Sequence, residues 1–334
     1  MRTVILIGLC WMVAGCGVGG DSGCADCDVT GYWLGYYQSE EKNGKFSAEI
    51  VQTGQVISGQ FESGSGMLEG ASLDGTVEGG RISFGDGDAQ IHFSGTVFED
   101  LSASGSFSLA AAGVEGEWRA SLAERGAFEL AECIEIDSYG VSALAHDGDH
   151  LWYIDGSGNL KKADETGQVL AEYDTPTAGG GMRLAYGDGS IWYAHFGTVA
   201  RIDLDGQILE QTEIEKNATG LAYADGSLWI VDFEYEELHR LDAEHAVAES
   251  ITLSVPHARS MAFDGERLWI VSGQFLPSRQ IAAVDLDGLA RAYCDLPADF
   301  EVGDVAFDGQ SLWIGSDVYG QGDARICRLV HTGS

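Results

Sequence analysis

The sequence predicts an all-β chain: an eight-stranded antiparallel meander barrel followed by a five-bladed β-propeller. Three observations carry this. Glycine is abundant, at 47 residues, and proline scarce, at 4; that balance favours many tight turns between short strands. Residues 31–125 break into eight short segments, each apolar on alternate positions. Beyond Gly126 one phrase recurs: LAHDGDHLWYID, LAYGDGSIWYAH, LAYADGSLWIVD, MAFDGERLWIVS and VAFDGQSLWIGS.

The N-terminus comes first. Residues 1–16, MRTVILIGLCWMVAGC, place one positive charge at Arg2 before an apolar run that ends in small residues. The run is too short to span a bilayer. It resembles a bacterial lipoprotein signal, with Val13-Ala14-Gly15-Cys16 as the lipobox. The resemblance implies removal of residues 1–15, lipidation of Cys16 with palmitate-class chains, and residence in the cell envelope. Gly17, rather than aspartate, points to the outer membrane. Residues 16–30 read as the lipidated cysteine and a flexible tether.

Formal net charge is −35, from 53 acids against 18 bases. That excludes nucleic acid and anionic membrane surfaces as partners. Cys24 and Cys27 have the spacing of a metal pair without a matching second pair. They are read as a local disulfide or as two idle thiols, and no metal is expected.

Residues 31–125 supply eight half-buried strands, about the number that closes a small barrel. The opening Gly31-Tyr32-Trp33 resembles the start of calycin barrels. Trp33 and Trp118 are expected to fill the interior, with a small apolar ligand as the alternative.

Residues 126–334 repeat with anchors at Trp152, Trp192, Trp229, Trp269 and Trp313. A period near 40 residues with four strands per unit marks a propeller. Each Asp-Gly step is expected to turn a hairpin with both residues at positive φ. The last unit lacks an outer strand, and Phe128–Ile136 supplies one, so the N-terminal strand closes the ring. Aligning this seam with the Asp205-Gly206 hairpin sets Cys327 opposite Cys133, and a Cys133–Cys327 disulfide is expected. Cys294 is left as the odd thiol.

The repeat phrases resemble the NHL and YVTN propellers and the five-bladed glutaminyl cyclases. The resemblance implies architecture and carries no catalytic residue across. No nucleophile elbow, zinc helix, phosphate loop or dinucleotide fingerprint is present. Candidate ligand-binding residues are therefore chosen by position. Asp155, His195, Asp232, Ser272 and Ser316 follow each anchor tryptophan by three; they could ligate a cation such as calcium or cap turns. Arg183, Arg259 and Asp304 fall near the channel end of the inner strands, where two arginines could hold an anion or pair with an acid. Phe275 and Tyr319, in long loops, are possible contacts. The DLDG steps at Asp203–Gly206 and Asp285–Gly288 resemble calcium fragments but sit in what read as two-residue turns.

Together these features predict an envelope-anchored binding protein. Its propeller top face, opposite the Asp-Gly turns, would meet a ligand or protein partner, with Arg183, His195, Asp232, Arg259 and Asp304 as the candidates. The alternative is an enzyme of the glutaminyl cyclase or lactonase type, which requires acids and His195 to converge in a polar pocket. A spacer role in a surface assembly is a third possibility.

Overall fold

The computed structural model describes residues 23–332 except 42, 64–70, 87–90, 111, 139, 178–180, 233–236, 273–279, 299 and 317–323. The lipobox with Cys16, and Phe275 and Tyr319, lie outside the described residues. The described residues hold strands and no helix long and apolar enough to cross a membrane.

The first eight strands are β1 (Gly31–Gln38), β2 (Asn43–Thr53), β3 (Val56–Ser63), β4 (Ala71–Glu78), β5 (Arg81–Asp86), β6 (Ile91–Val97), β7 (Ser102–Leu109) and β8 (Val114–Ile136). Each pairs antiparallel with the next, and β1 pairs back onto β8. The sheet therefore has no free edge. Alternate side chains point inward, as a period of two dictates: in β2, Phe46, Ala48 and Ile50 are buried. Phe93 is fully buried and touches the rings of Tyr37, Phe46, Phe61, Phe84, Phe107 and Trp118. The interior space beside it is only about 10 Å³, and among the described residues Trp33 and Trp118 are buried in the same core, as close packing requires.

The segment read as a flexible tether is folded from Cys24 onward. Cys24 and Cys27 form a disulfide, the Cys24 amide donates to the Val97 carbonyl at 2.8 Å, and Val29 is fully buried. The Trp33 indole donates to the Val29 carbonyl at 2.8 Å. Burying Val29 and bonding its backbone overcame the glycine-rich composition of the run.

The rest of the chain forms five four-stranded units. Unit one is β9 (Val141–His146), β10 (Leu151–Asp155), β11 (Leu160–Ala163) and β12 (Val169–Tyr173). Unit two is β13 (Arg183–Gly187), both halves of β14 (Ser190–Ile202), and the first part of β15 (Ile208–Ala224). The end of β15 opens unit three, with β16 (Ser227–Asp232), β17 (Glu237–Leu241) and β18 (Val247–Thr252). Unit four is β19 (Ala258–Phe263), β20 (Leu268–Ser272), β21 (Gln280–Val284) and β22 (Ala290–Asp295). Unit five is β23 (Val302–Phe307), β24 (Leu312–Ser316) and β25 (Ala324–Thr332), completed by the end of β8. The inner strands touch in a closed circuit: β9 to β13, β13 to β15, β15 to β19, β19 to β23, and β23 to β9. The outer strand borrowed from β8 places Cys133 opposite Cys327, and the two are joined by a disulfide.

No linker separates the two bodies. β8 runs unbroken for 23 residues across the expected boundary at 125–126. Its first part closes the N-terminal sheet, residues Glu124–Ala127 pair parallel with β22, and its end seals unit five. Leu34 and Ala123 on the outside of the first body pack with Leu253, Val255 and Tyr293 of the second. The Ser121 hydroxyl donates to the Ala290 carbonyl at 2.6 Å. Arg291 clamps Asp285 at 2.6 Å and Asp100 at 2.9 Å across the same contact.

The five Asp-Gly phrases are two kinds of turn. Asp188-Gly189 and Asp225-Gly226 have positive φ at both residues, as a two-residue hairpin requires. In the other three only Gly148, Gly265 and Gly309 do. There the aspartate stands five rather than four residues before the tryptophan. Its side chain accepts two backbone N–H groups and the indole N–H, at 2.8 Å for Trp152, 2.7 Å for Trp269 and 2.8 Å for Trp313. The DLDG steps are likewise wider than two residues: Asp203 accepts the amides of Asp205 and Gln207, and the Asp285 carbonyl accepts the Gly288 amide.

Candidate functional site

The inner strands align on Leu144, Leu184, Leu221, Met261 and Val305. The residue before each is Ala143, Arg183, Gly220, Ser260 or Asp304. Three of the five, Ala143, Gly220 and Ser260, are small, which leaves room at the axis for the Arg183 side chain. Its guanidinium donates to the carbonyls of Thr219, Arg259 at 3.2 Å, Ser142 at 3.0 Å and Met182 at 2.6 Å. These belong to units three, four, one and two. Asp304 of unit five accepts the amides of Leu144 and Val305, each at 2.9 Å. All five units are thus tied at the axis by two charged side chains that are themselves buried.

Burial pushes the Asp304 carboxyl up to about 6, and Arg183, the two amides and the Ser260 hydroxyl offset only part of that. Desolvation wins because the carboxylate is wholly enclosed. Arg259, expected at this level, stands one position earlier. Its backbone carbonyl accepts from the Arg183 guanidinium in this network. Ser260 was missed; aligning the five repeats on the leucine position would have shown it.

The residues three after the tryptophans are held one by one. Asp155 accepts the amides of Ser157 and Asn159 and pairs with Lys161 at 2.7 Å. Asp232 lies 3.6 Å from Lys216. The Ser272 hydroxyl donates to the Pro256 carbonyl at 2.6 Å, and Ser316 accepts the Arg325 amide at 2.7 Å. His195 Nδ1 is 2.6 Å from the Thr177 hydroxyl, which is 2.8 Å from the Tyr193 hydroxyl. Beside it Phe196 is 62% exposed with φ +48°, a left-handed conformation that costs a bulky residue energy. The structure brings Arg183 and Asp304 into one network and engages His195 and Asp232 in two others. Among the described residues no cluster of three or more His, Cys, Asp or Glu has metal-site geometry.

Cavities flank this architecture among the described residues. A cup of about 260 Å³ opens at the Asp-Gly end of the axis, floored by Leu144, Leu184, Met261 and Val305 and rimmed by Tyr186, Tyr223, Phe263 and Phe307. It faces away from the side the sequence favoured. Tyr223 stacks on Trp192 and His146 on Trp313, so rim rings also pack units together. A second cleft lies between the N-terminal body and unit four.

No family model matches the chain, and no curated protein does. Solved structures do. The glutaminyl cyclase of Myxococcus xanthus superposes with TM-score 0.54 at 11% identity, over 63% of this chain and 98% of that one. The β-propeller domain of Cps50 (Swd1) from Myceliophteria thermophila gives TM-score 0.39 at 12% identity, over 60% of this chain and 99% of the other. The first shows a propeller-like all-β fold; at this identity the likeness concerns the fold alone.

Proposed function

We propose that the chain is an extracytoplasmic binding protein, held at a bacterial membrane by lipid on Cys16, in which an eight-stranded barrel carries a five-bladed propeller. The observation that carries this reading is the axis. Arg183 and Asp304, the opposed charges buried there, bind main-chain groups of neighbouring strands, so the ring is a scaffold sealed at its centre. Binding then falls to its faces and rim. The Val13–Cys16 run and the oxidised pairs Cys24–Cys27 and Cys133–Cys327 support an exported, envelope-attached protein, because disulfides persist in oxidising compartments. The outer membrane is the favoured leaflet system.

The alternative, an enzyme resembling glutaminyl cyclases, is favoured by one specific feature: the His195–Thr177–Tyr193 hydrogen-bond chain, which sets a hydroxyl against an imidazole. The test is expression of the full chain in a bacterial host with an alkyne palmitate. The proposed reading expects label and membrane fractionation, both lost in Cys16→Ser, and no cyclisation of glutaminyl peptides. Label retained in Cys16→Ser would remove the anchor. Turnover abolished by His195→Ala would replace binding with catalysis.

A further inference from the structure

The N-terminal body and unit four are tightly joined along β8 and diverge beside it, leaving a cleft of about 650 Å³. Ligand-holding clefts span roughly 300–1,000 Å³ and favour boundaries between packed bodies. Both ends of this one are pinned. Lys45 Nζ donates to the Val255 carbonyl at 2.7 Å, and Arg125 lies 3.7 Å from Asp295. Tyr32 of β1 and Tyr293 of β22 stack across the base with centroids 5.6 Å apart and planes at 29°. The Tyr293 hydroxyl meets Gln280 at 2.5 Å.

The opposite wall is the outward face of β2 and β3. Glu49 pairs in register with Tyr32 on one side and Gln60 on the other, and Ser47 pairs with Glu62. A period of two sends the side chains of Ser47 and Glu49 out, because Phe46, Ala48 and Ile50 point in.

We propose that this cleft binds a neutral saccharide. Its lining holds two cations, Lys45 and Arg125, and two carboxylates, Glu49 and Glu62. An anion would meet the carboxylates and find both cations already turned to protein oxygens. A cationic amine would meet Lys45 and Arg125. Sugar hydroxyls both donate and accept. They can donate to Glu49, Glu62 and the amide oxygens of Gln60 and Gln280, and accept from the amide N–H groups and the Ser47 hydroxyl. The Tyr32 ring is itself packed between Tyr293 and the Arg125 guanidinium, 5.3 Å from its centroid, so recognition rests on the groups that bond sugar hydroxyls. Because β8 and Arg291 fix the two walls to each other, little ordering is left to be done on binding. Of the residues that follow the tryptophans only Ser272 touches the lining, through its bond to the Pro256 carbonyl, and the proposal does not depend on any role for the other four.

Calorimetric titration of the exported Cys16→Ser chain tests this, with maltotriose, cellotriose and chitotriose as probes and spermidine and citrate as charged controls. At least one trisaccharide is expected to bind with a millimolar or tighter Kd. Glu49→Ala and Glu62→Ala are expected to weaken it by about tenfold or more, while Glu115→Ala, on exposed β8 away from the cleft, leaves it unchanged. Both cleft variants sit on a solvated strand face, and an unaltered melting temperature establishes that they fold. No binding of any trisaccharide at about 10 mM, binding indifferent to both variants, or displacement by spermidine or citrate would each overturn the proposal.

Discussion

Arg183 and Asp304 occupy the same position of two different inner strands, and between them they bond the backbone of all five units. The ring is held at its centre by side chains reaching to main chain, as well as at its perimeter by strand pairing.

Removing the guanidinium should therefore be costly. Arg183→Met leaves four carbonyls without their donor and Asp304 without a counter-charge in a site closed to water. Leaving a buried charge uncompensated in this way costs about 3–5 kcal/mol. Arg183→Met combined with Asp304→Asn is expected to recover part of the loss, because no orphan charge remains. Denaturant melts of the single and double variants decide it.

Asp304 also makes stability depend on pH. Its folded value of about 6 lies above the ordinary 3.8, so between these pH values the folded chain holds a proton that the unfolded chain releases. The stability this contributes is full below pH ~4 and is lost as pH rises through ~6, by roughly 3 kcal/mol. Asp304→Asn cannot titrate. The difference between wild-type and Asp304→Asn melts, taken from pH 4 to pH 7, is expected to show this fall, and a flat difference would remove it.

The Cys133–Cys327 disulfide closes a loop with sequence separation 194. By the chain-entropy account such a loop is worth about 5 kcal/mol. Cys133→Ser with Cys327→Ser is expected to lower stability on that scale. Unreduced peptide maps should link 133 to 327 and 24 to 27, with the buried Cys294 as the free thiol.

The two kinds of Asp-Gly turn should respond differently. Asp264→Ala strands the Trp269 indole and the amides of Glu266 and Arg267, a loss of about 1–3 kcal/mol. Asp225→Asn, at φ 49°, keeps a residue that tolerates the left-handed region, and is expected to shift stability by no more than about 0.5 kcal/mol. Thermal melts of both compare them directly.

Much of this fold was readable from residues alone. Alternation marked the strands, the tryptophan period marked the repeated units, and the orphan segment Phe128–Ile136 identified the strand that completes unit five. Turn geometry was less legible, because the shift of an aspartate from four to five residues before its tryptophan changes the turn type while leaving the Asp-Gly dipeptide intact. The tether was misjudged at Val29, since composition reports flexibility but not one apolar side chain that finds a buried place. The axis was half visible. Arg183 and Asp304 stood out as charges on inner strands, but Ser260 looks like any serine, and Arg259 was set level with Arg183 although aligning the repeats on Met261 puts it one residue earlier. The cleft beside Tyr32 and Tyr293 joins residues over 260 positions apart, so local periodicity carries no trace of it.

The central claim, that the ring is a scaffold sealed at its axis, is tested most directly by amide hydrogen exchange at Leu144 and Val305, whose N–H groups Asp304 accepts. The account expects both to exchange only through global unfolding, as slowly as the most protected strand amides, and to lose that protection in Asp304→Ala. Exchange of either amide within minutes in the native wild-type protein would mean an open, solvent-filled axis and would contradict it.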